Sequence, residues 1–276
     1  MAKNSKLGVL GPQYTYSDFA ADRYSSKCFK KYYASIWEIF DAIKKGEVEK
    51  GIVPIENSIH GTVRETFDAL FKSDLKILMQ LSLPIHHCIA VLKGTKKKDI
   101  VKFISHQQAL SQSQKYLRKN FPKAEQIGFS STGKAIEAMR KRKSGKAAVI
   151  CSEDAAKKHG LRIVAKSIED QKGNKTWFAV LGKEKVKVQP KNARTSIAFH
   201  FKKDHPGTLF SVFKAFNDAK VNMTKIESRP TLPKWGDYIF FLDFEGDQSK
   251  PKIAKLLKSV EKKVALLKNF GSYNLK

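Results

Sequence analysis

The sequence predicts an α/β region followed by a smaller α+β unit with the strand order βαββαβ. Three observations carry this reading. Short apolar runs alternate with apolar residues at helical spacing through the first part of the chain. A polar, lysine-rich stretch at residues 183–194, containing Pro190, interrupts that pattern as a linker would. Beyond it, four strand-like runs enclose two amphipathic helices. At 276 residues the chain exceeds one average domain, which fits two units.

Taken in order, Leu7-Gly8-Val9-Leu10 reads as a first strand that ends at the Gly11-Pro12 turn. Ser17 has N-cap character, with Asp18 in the first turn and Phe19, Ala20 and Tyr24 as the apolar stripe. Ile36, Ile39, Phe40 and Ile43 repeat at helical spacing up to Gly46, a glycine stop. Residues 51–55 form a strand, and Val63, Phe67, Leu70 and Phe71 mark the next helix. Residues 75–92 are strand-rich, 100–104 form a strand, and Ala109, Tyr116 and Leu117 belong to the helix that follows. Ile127-Gly128-Phe129 runs into Ser130-Ser131-Thr132, which caps a helix through Ala135, Ile136 and Met139. A strand at 147–150 leads to a short helix stopped by Gly160. Such alternation predicts largely parallel sheets. In the second unit the strands fall at 196–201, 222–228, 238–244 and 264–270, and the helices at 207–219 and 250–259. This is a ferredoxin-like sandwich of one sheet and two helices.

The formal charge of +27 comes mostly from lysine in scattered groups such as Lys96-Lys97-Lys98 and Arg140-Lys141-Arg142-Lys143. By itself it admits nucleic acid, an anionic membrane or an acidic small molecule. No group is interleaved with stacking aromatics, and no strand carries the Gly-aromatic sequence of an RNA reader. The lysines read as solvated faces, and neither nucleic acid nor membrane is expected as a partner. No apolar run is long enough to span a bilayer, and the N-terminus lacks the apolar core of a secretory signal, so a cytoplasmic protein is expected. Cys28, Cys88 and Cys151 are odd in number and lack CxxC spacing, which predicts reduced thiols and no structural metal site.

Five segments carry candidate chemistry: Gly11-Pro12-Gln13-Tyr14-Thr15-Tyr16-Ser17, the block Val53-Pro54-Ile55-Glu56-Asn57-Ser58-Ile59-His60-Gly61-Thr62-Val63, Ser105-His106-Gln107-Gln108-Ala109-Leu110, Asn174-Lys175-Thr176-Trp177-Phe178 and Glu227-Ser228-Arg229-Pro230. Three of the first four stand where a strand ends, which is where open α/β sheets bind ligands. Their hydroxyls and amides suit a polar small molecule.

In this order the segments resemble the prephenate dehydratase family over nearly the whole chain, most strongly at the VPIENSxxGxV block. The resemblance implies two α/β lobes over 1–184, similar to type 2 periplasmic binding proteins, with the active site between them. It implies a linker over 185–194 and an ACT regulatory domain over 195–276. The implied reaction converts prephenate to phenylpyruvate, carbon dioxide and water. Aromatisation drives it, so no cofactor and no metal are expected. The resemblance assigns Thr176 to the departing hydroxyl; a threonine hydroxyl is too weak an acid to act alone, so it is expected to donate within a catalytic network that includes Glu56, Asn57, Ser58 or His106. Substrate contacts are expected from Thr15, Ser17, Ser105, Gln108, Ala109, Lys175, Trp177 and Phe178. Thr15 and Ser17 would hold a carboxylate beside a helix N-terminus, where free amides favour an anion.

In the second unit, Asp204-His205-Pro206-Gly207-Thr208-Leu209-Phe210 aligns with the family's GALV region and residues 227–230 with its ESRP motif. Gly207, Thr208, Leu209, Phe210, Asn222, Glu227, Ser228, Arg229 and Pro230 are thereby implied to bind regulatory L-phenylalanine between paired ACT domains, in a dimer or tetramer. Gly271-Ser272-Tyr273 matches the closing signature. The chain departs from the family at Trp177, where arginine is usual and is expected to grip a substrate carboxylate. Lys175 shares a strand face with position 177 and is the candidate substitute cation. Tyr14 stands for glycine, Gln107 for proline, and Thr208 and Phe210 for smaller residues. Arogenate dehydratase, whose substrate differs by one amino group, and a sensor without catalysis are the competing readings. Retention of residues 56–58, 105–106 and 176 argues against the sensor.

Overall fold

The computed structural model describes residues 5–142, 145–184, 186, 188–189, 191–203, 205–230 and 238–276; Lys143, Pro190 and Asp204 lie outside these. Apolar, β-branched runs form the strands, and the amphipathic stretches between them cross over as helices. The first lobe holds β1 (Lys6–Leu10), α1 (Tyr16–Tyr24), β2 (Phe29–Tyr33), α2 (Ile36–Lys45), β3 (Lys50–Asn57), β4 (Gly61–Thr62), α3 (Arg64–Lys72) and β5 (Lys76–Pro84). The chain then builds a second lobe from β6 (Cys88–Val91), β7 (Lys102–His106), α4 (Gln107–Ser111), α5 (Gln114–Asn120), β8 (Glu125–Phe129), α6 (Thr132–Arg142), β9 (Ala147–Cys151), α7 (Glu153–Lys158) and β10 (Arg162–Ala165). It returns to the first lobe as β11 (Lys175–Gly182). The C-terminal unit comprises β12 (Ala193–His200), α8 (Thr208–Asp218), β13 (Met223–Pro230), β14 (Tyr238–Glu245), α9 (Pro251–Glu261) and β15 (Leu266–Leu275), in the expected βαββαβ order.

The sheets are mixed, which corrects the expectation of largely parallel ones. β1 pairs in parallel with β2 and β3, and β7 with β8 and β9, as strands joined by crossover helices do. The return strand β11 runs antiparallel to both β3 and β5, and β6 runs antiparallel to β9 and β10. Each lobe thus gains antiparallel strands where the chain passes between lobes. A second correction concerns α1, which starts at Tyr16 with Thr15 as its cap, two residues before the Ser17 expected. The Asp18 carboxylate accepts from the Tyr14 amide at 2.7 Å and turns the chain into the helix earlier. The stop of α2 is as read, with Gly46 ending the helix at φ 76°, and at its start Ser35 caps the Glu38 amide.

β3 and β11 are buried on both faces. Ile52, Phe178 and Val180 face one apolar cluster, while Val53, Ile55, Ala179 and Leu181 face another. Gly51 lets α2 approach this pair: a Cβ there would collide with Ile39 Cγ2 and stand 2.9 Å from Ile43 Cδ1. Gly51→Ala is accordingly expected to destabilise the fold by about 1–3 kcal/mol through overpacking. A urea midpoint lowered at unchanged m-value checks this.

The C-terminal unit is joined to the first lobe through one sheet, ordered β13-β14-β12-β15-β5-β11-β3-β1-β2, with β4 on β3. The junction is the parallel contact of β15 with β5 at Asn274 and Leu275. A buried chain of hydrogen bonds crosses it: Gln80 Nε2 donates to Tyr273 Oη, which meets Ser196 Oγ, each at 2.7 Å. Above the sheet, Phe67 and Phe71 of α3 meet Phe241 edge-on, at 5.0 and 6.2 Å between centroids. The stretch between β11 and β12 is held down at Gln189, whose amide donates to Asn274 Oδ1. No helix among the described residues is long and apolar enough to cross a membrane.

Candidate active site

The ends of β1, β3, β7, β8 and β9 and the start of β11 open onto a cleft of about 360 Å³ between the two lobes. This is where an α/β sheet presents its loops and helix N-termini to a ligand. The two crossings between lobes are tied together at its back. Glu169 accepts from the His87 amide at 3.0 Å and meets His86 Nδ1 at 2.8 Å, and the Ile168 amide donates to the His87 carbonyl.

Asn57 and Thr176 form a hydrogen-bonded polar pair in the cleft. They are register partners on β3 and β11, so their side chains share a face. Asn57 Oδ1 accepts from the Ile59 and His60 amides at 3.0 and 3.1 Å, which orients its amide group. Asn57 Nδ2 therefore donates, to Thr176 Oγ1 at 2.9 Å and to Asn174 Oδ1 at 2.8 Å. A hydroxyl oxygen that accepts from an amide keeps its own proton free to donate elsewhere. The geometry leaves that proton for a group in the cleft. Asn174 is buried and in turn accepts from Ser58 Oγ at 3.2 Å.

The electrostatics of the walls are unusual in a protein of this charge. Among the described residues lining the cleft none is Lys, Arg, Asp or Glu. Burial pushes the His87 pKa down, despite its bond to Gln112, so the imidazole is neutral. Burial drives the Tyr16 phenol well above its ordinary range while its hydroxyl donates to the His86 carbonyl at 2.6 Å. The Cys151 thiol is pushed up by Cys88 and by burial, and stays protonated. Positive potential instead comes from helix N-termini on both sides: α1 at Thr15 and Tyr16, and α6 at Ser131 and Thr132. Thr15 makes no side-chain cap on α1, and its hydroxyl donates back to the Pro12 carbonyl at 3.0 Å.

Of the residues expected at the site, the structure brings together Thr15, Ser17, Asn57, His106, Gln108, Ala109, Thr176 and Phe178 along the cleft. Glu56, Ser58, Ser105, Lys175 and Trp177 do not line it. Strand alternation is the cause on β3 and β11: Glu56 and Trp177 are register partners on the face opposite Asn57 and Thr176. Trp177 packs against the apolar cluster beneath, and Glu56 pairs with Lys225 at 2.5 Å. Lys175 is exposed on that same outer face, so it is not placed to substitute a cation in the cleft. Ser105 is fully buried under the floor and donates to the Ile150 carbonyl at 2.6 Å. Ser58 stands behind Asn174 and receives the Lys175 amide at 3.0 Å.

Sequence reasoning gave no cleft role to Tyr16 and Asn174, although both lie in the candidate segments, and missed His87, Gln112, Ser131, Thr132 and Ser152 as cleft residues. Ser131 was legible only as a cap, which it is: its hydroxyl accepts from the Lys134 amide at 3.1 Å. In the C-terminal unit, Gly207 caps α8 at φ 89°, Thr208 is bonded to His205, and Phe210 is exposed. Arg229 turns toward the first lobe and pairs with Asp68 at 2.6 Å.

A family model for prephenate dehydratase matches residues 7–186, and one for the ACT domain matches residues 197–262. The chain belongs to the prephenate dehydratase family. A prephenate dehydratase of Methanocaldococcus jannaschii is 38% identical over 268 residues, covering 95% of each chain. One of Lactococcus lactis subsp. cremoris is 33% identical over 278 residues, covering 98% of this chain and 99% of that one. The crystal structure of an Arthrobacter aurescens prephenate dehydratase in complex with L-Phe superposes with a TM-score of 0.86 at 26% identity, covering 98% of this chain and 90% of that one. Within the prephenate dehydratase family this chain carries Trp177 in the Thr-Arg-Phe motif. The register shows what that costs: a side chain at 177 stands beside Glu56, not over the cleft.

Proposed function

We propose that the chain is a prephenate dehydratase whose cleft binds the substrate and releases carbon dioxide and water from it. The observation that carries the reading is the Asn57-oriented Thr176 hydroxyl in a cleft without charged side chains. In the reaction the ring carboxylate leaves as carbon dioxide, and its bonding pair enters the ring. The pair aromatises the ring and expels the hydroxyl at the opposite ring position, which takes one proton and departs as water. Negative charge thus leaves the carboxylate and builds on the departing oxygen. A cation clamped on that carboxylate would stabilise the ground state more than the transition state and slow the step. A free donor at the departing oxygen does the reverse, since it bonds most strongly as charge accumulates. Thr176 supplies that donor, and His106 and the neutral His87 lie on the same walls.

The side-chain carboxylate is assigned to the N-terminal ends of α1 and α6, with Thr15 and Ser17 on one side and Thr132 on the other. The net charge of +27 raises the local concentration of a dianion without contacting it. Lys175 takes no part in this arrangement. Lys175→Ala is expected to leave KM for prephenate within about twofold of the parent, because losing an exposed lysine outside the cleft removes no binding contact. Steady-state kinetics of the variant checks it.

Regulation by L-phenylalanine through the C-terminal unit is part of the proposal, supported by the family match over 197–262 and the relative solved with that amino acid. So are the boundaries 1–184, 185–194 and 195–276 as catalytic region, linker and regulatory unit, and pairing of C-terminal units into a dimer or tetramer. Edge strand β13 and the exposed Phe210 and Ile226 favour such pairing. A cytoplasmic location accords with three free cysteines. The test is turnover of prephenate to phenylpyruvate, with arogenate in parallel, in the presence and absence of phenylalanine. Sedimentation of the same samples reads the assembly.

A further inference from the structure

β13 grips the first lobe with one face. Lys225 and Arg229 are four residues apart and both reach it, while Ile226 on the other face is exposed. Among the described residues, the Arg229 side chain meets α3 at Asp68 and the Arg64 carbonyl. Lys225 goes deeper. Its Nζ lies 2.5 Å from Glu56 Oε2 and 2.9 Å from Thr62 Oγ1, and it covers the Phe67 ring at 5.0 Å from the centroid. Its side chain is 16% exposed and that of Glu56 38%, so the lysine is largely covered while the carboxylate keeps partial access to water.

The two residues it bridges are register partners at the base of the β3–β4 hairpin. The turn between them contains Asn57, whose Oδ1 holds the Ile59 and His60 amides and whose Nδ2 orients Thr176. Glu56 precedes Asn57 and points to the opposite face, toward the C-terminal unit. One cation therefore closes the base of the turn that aims the cleft hydroxyl.

We propose that Lys225 is a positioning residue for the dehydration: from the C-terminal unit it clamps Glu56 to Thr62 and so fixes the Asn57 amide against Thr176. This rests on the cleft being the dehydratase site proposed above. The C-terminal unit then supports the active site structurally, and a ligand that displaces β13 acts on Asn57 through a single ion pair.

The test uses the full chain and a matched control. Lys268 also joins the C-terminal unit to the first lobe, donating to the Phe71 carbonyl at 2.7 Å, but it does not touch the hairpin. Lys225→Met is expected to lower kcat on prephenate about tenfold with KM within about twofold, as loss of a coupling contact outside the cleft does. Lys225→Arg should retain most activity, and Lys225→Glu combined with Glu56→Lys should exceed either single change. Lys268→Met should leave kcat within about twofold, since it removes docking without touching the turn. Hydrogen–deuterium exchange over residues 57–62, read without substrate, should quicken in Lys225→Met and not in Lys268→Met. Unchanged exchange in Lys225→Met, equal losses in both lysine variants, or a charge swap no better than its singles would overturn the proposal. Absence of turnover in the parent with quickened exchange in Lys225→Met would instead reject the dehydratase reading and leave the clamp standing.

Discussion

Thr176→Val is expected to lower kcat on prephenate by about a hundredfold or more, the scale of losing a positioned proton donor. Valine matches threonine in shape and branching, so β11 keeps its packing and register, and the change isolates one hydroxyl. The Asn57 amide loses an acceptor at 2.9 Å but keeps Asn174 Oδ1 at 2.8 Å and the Lys175 carbonyl at 3.2 Å. The turn that holds it therefore persists. Because the donor acts as charge reaches the departing oxygen, kcat and kcat/KM should fall together while KM changes little. Thr176→Ser, which keeps the hydroxyl, should recover most of the rate. Phenylpyruvate formation under saturating prephenate reads all three proteins.

Removing Asp18 is expected to cost about 3 kcal/mol of folding stability, within the range for breaking a buried ion pair from one side. Asp18 is 1% exposed and sits at the centre of a cluster: Lys30, the Tyr32 hydroxyl at 2.7 Å and the Tyr14 amide at 2.7 Å all donate to it. Asp18→Ala leaves Lys30 with the more exposed Asp22, at 2.9 Å, and frees the loop that forms one wall of the cleft. Burial by itself would raise the Asp18 pKa, but donation from Lys30, Tyr32 and the Tyr14 amide outweighs it and holds the carboxyl below the usual aspartate range. A carboxyl depressed on folding contributes stability that is present above its unfolded pKa and is lost as pH falls through its folded value. The parent should thus lose stability on acidification below the usual aspartate range. Asp18→Asn, weaker at neutral pH, should show a flatter profile there. Lys30, whose pKa the same contacts raise, contributes stability that is fully present across this acid range and is lost only at the alkaline end. Urea unfolding at a series of pH values separates the two proteins.

Much of the fold was legible because its signals are local. Gly46 stops α2, Ser131 caps α6, and the four strands and two helices of the C-terminal unit lie close to where apolar periodicity placed them. Strand direction was not legible, because whether β11 runs parallel or antiparallel depends on its return from the second lobe, and no local pattern encodes that. The candidate site was legible as segments and less so as side chains. Glu56-Asn57-Ser58 reads as one polar block, yet the pleat sends Asn57 to the cleft and Glu56 to Lys225. Trp177 looked like a missing substrate contact for the same reason: motif spacing does not say which face a residue takes until the strand pairs. His87 and Gln112, which bond each other at 2.8 Å across the cleft wall, are 25 residues apart and share no motif.

The measurement closest to the central claim follows phenylpyruvate after mixing the purified full chain with prephenate, beside Thr176→Val at equal concentration. Steady turnover by the parent, despite Trp177, is expected, with a loss of about a hundredfold in the variant, as when a positioned donor is removed. No phenylpyruvate from the parent, or undiminished turnover by Thr176→Val, would contradict it.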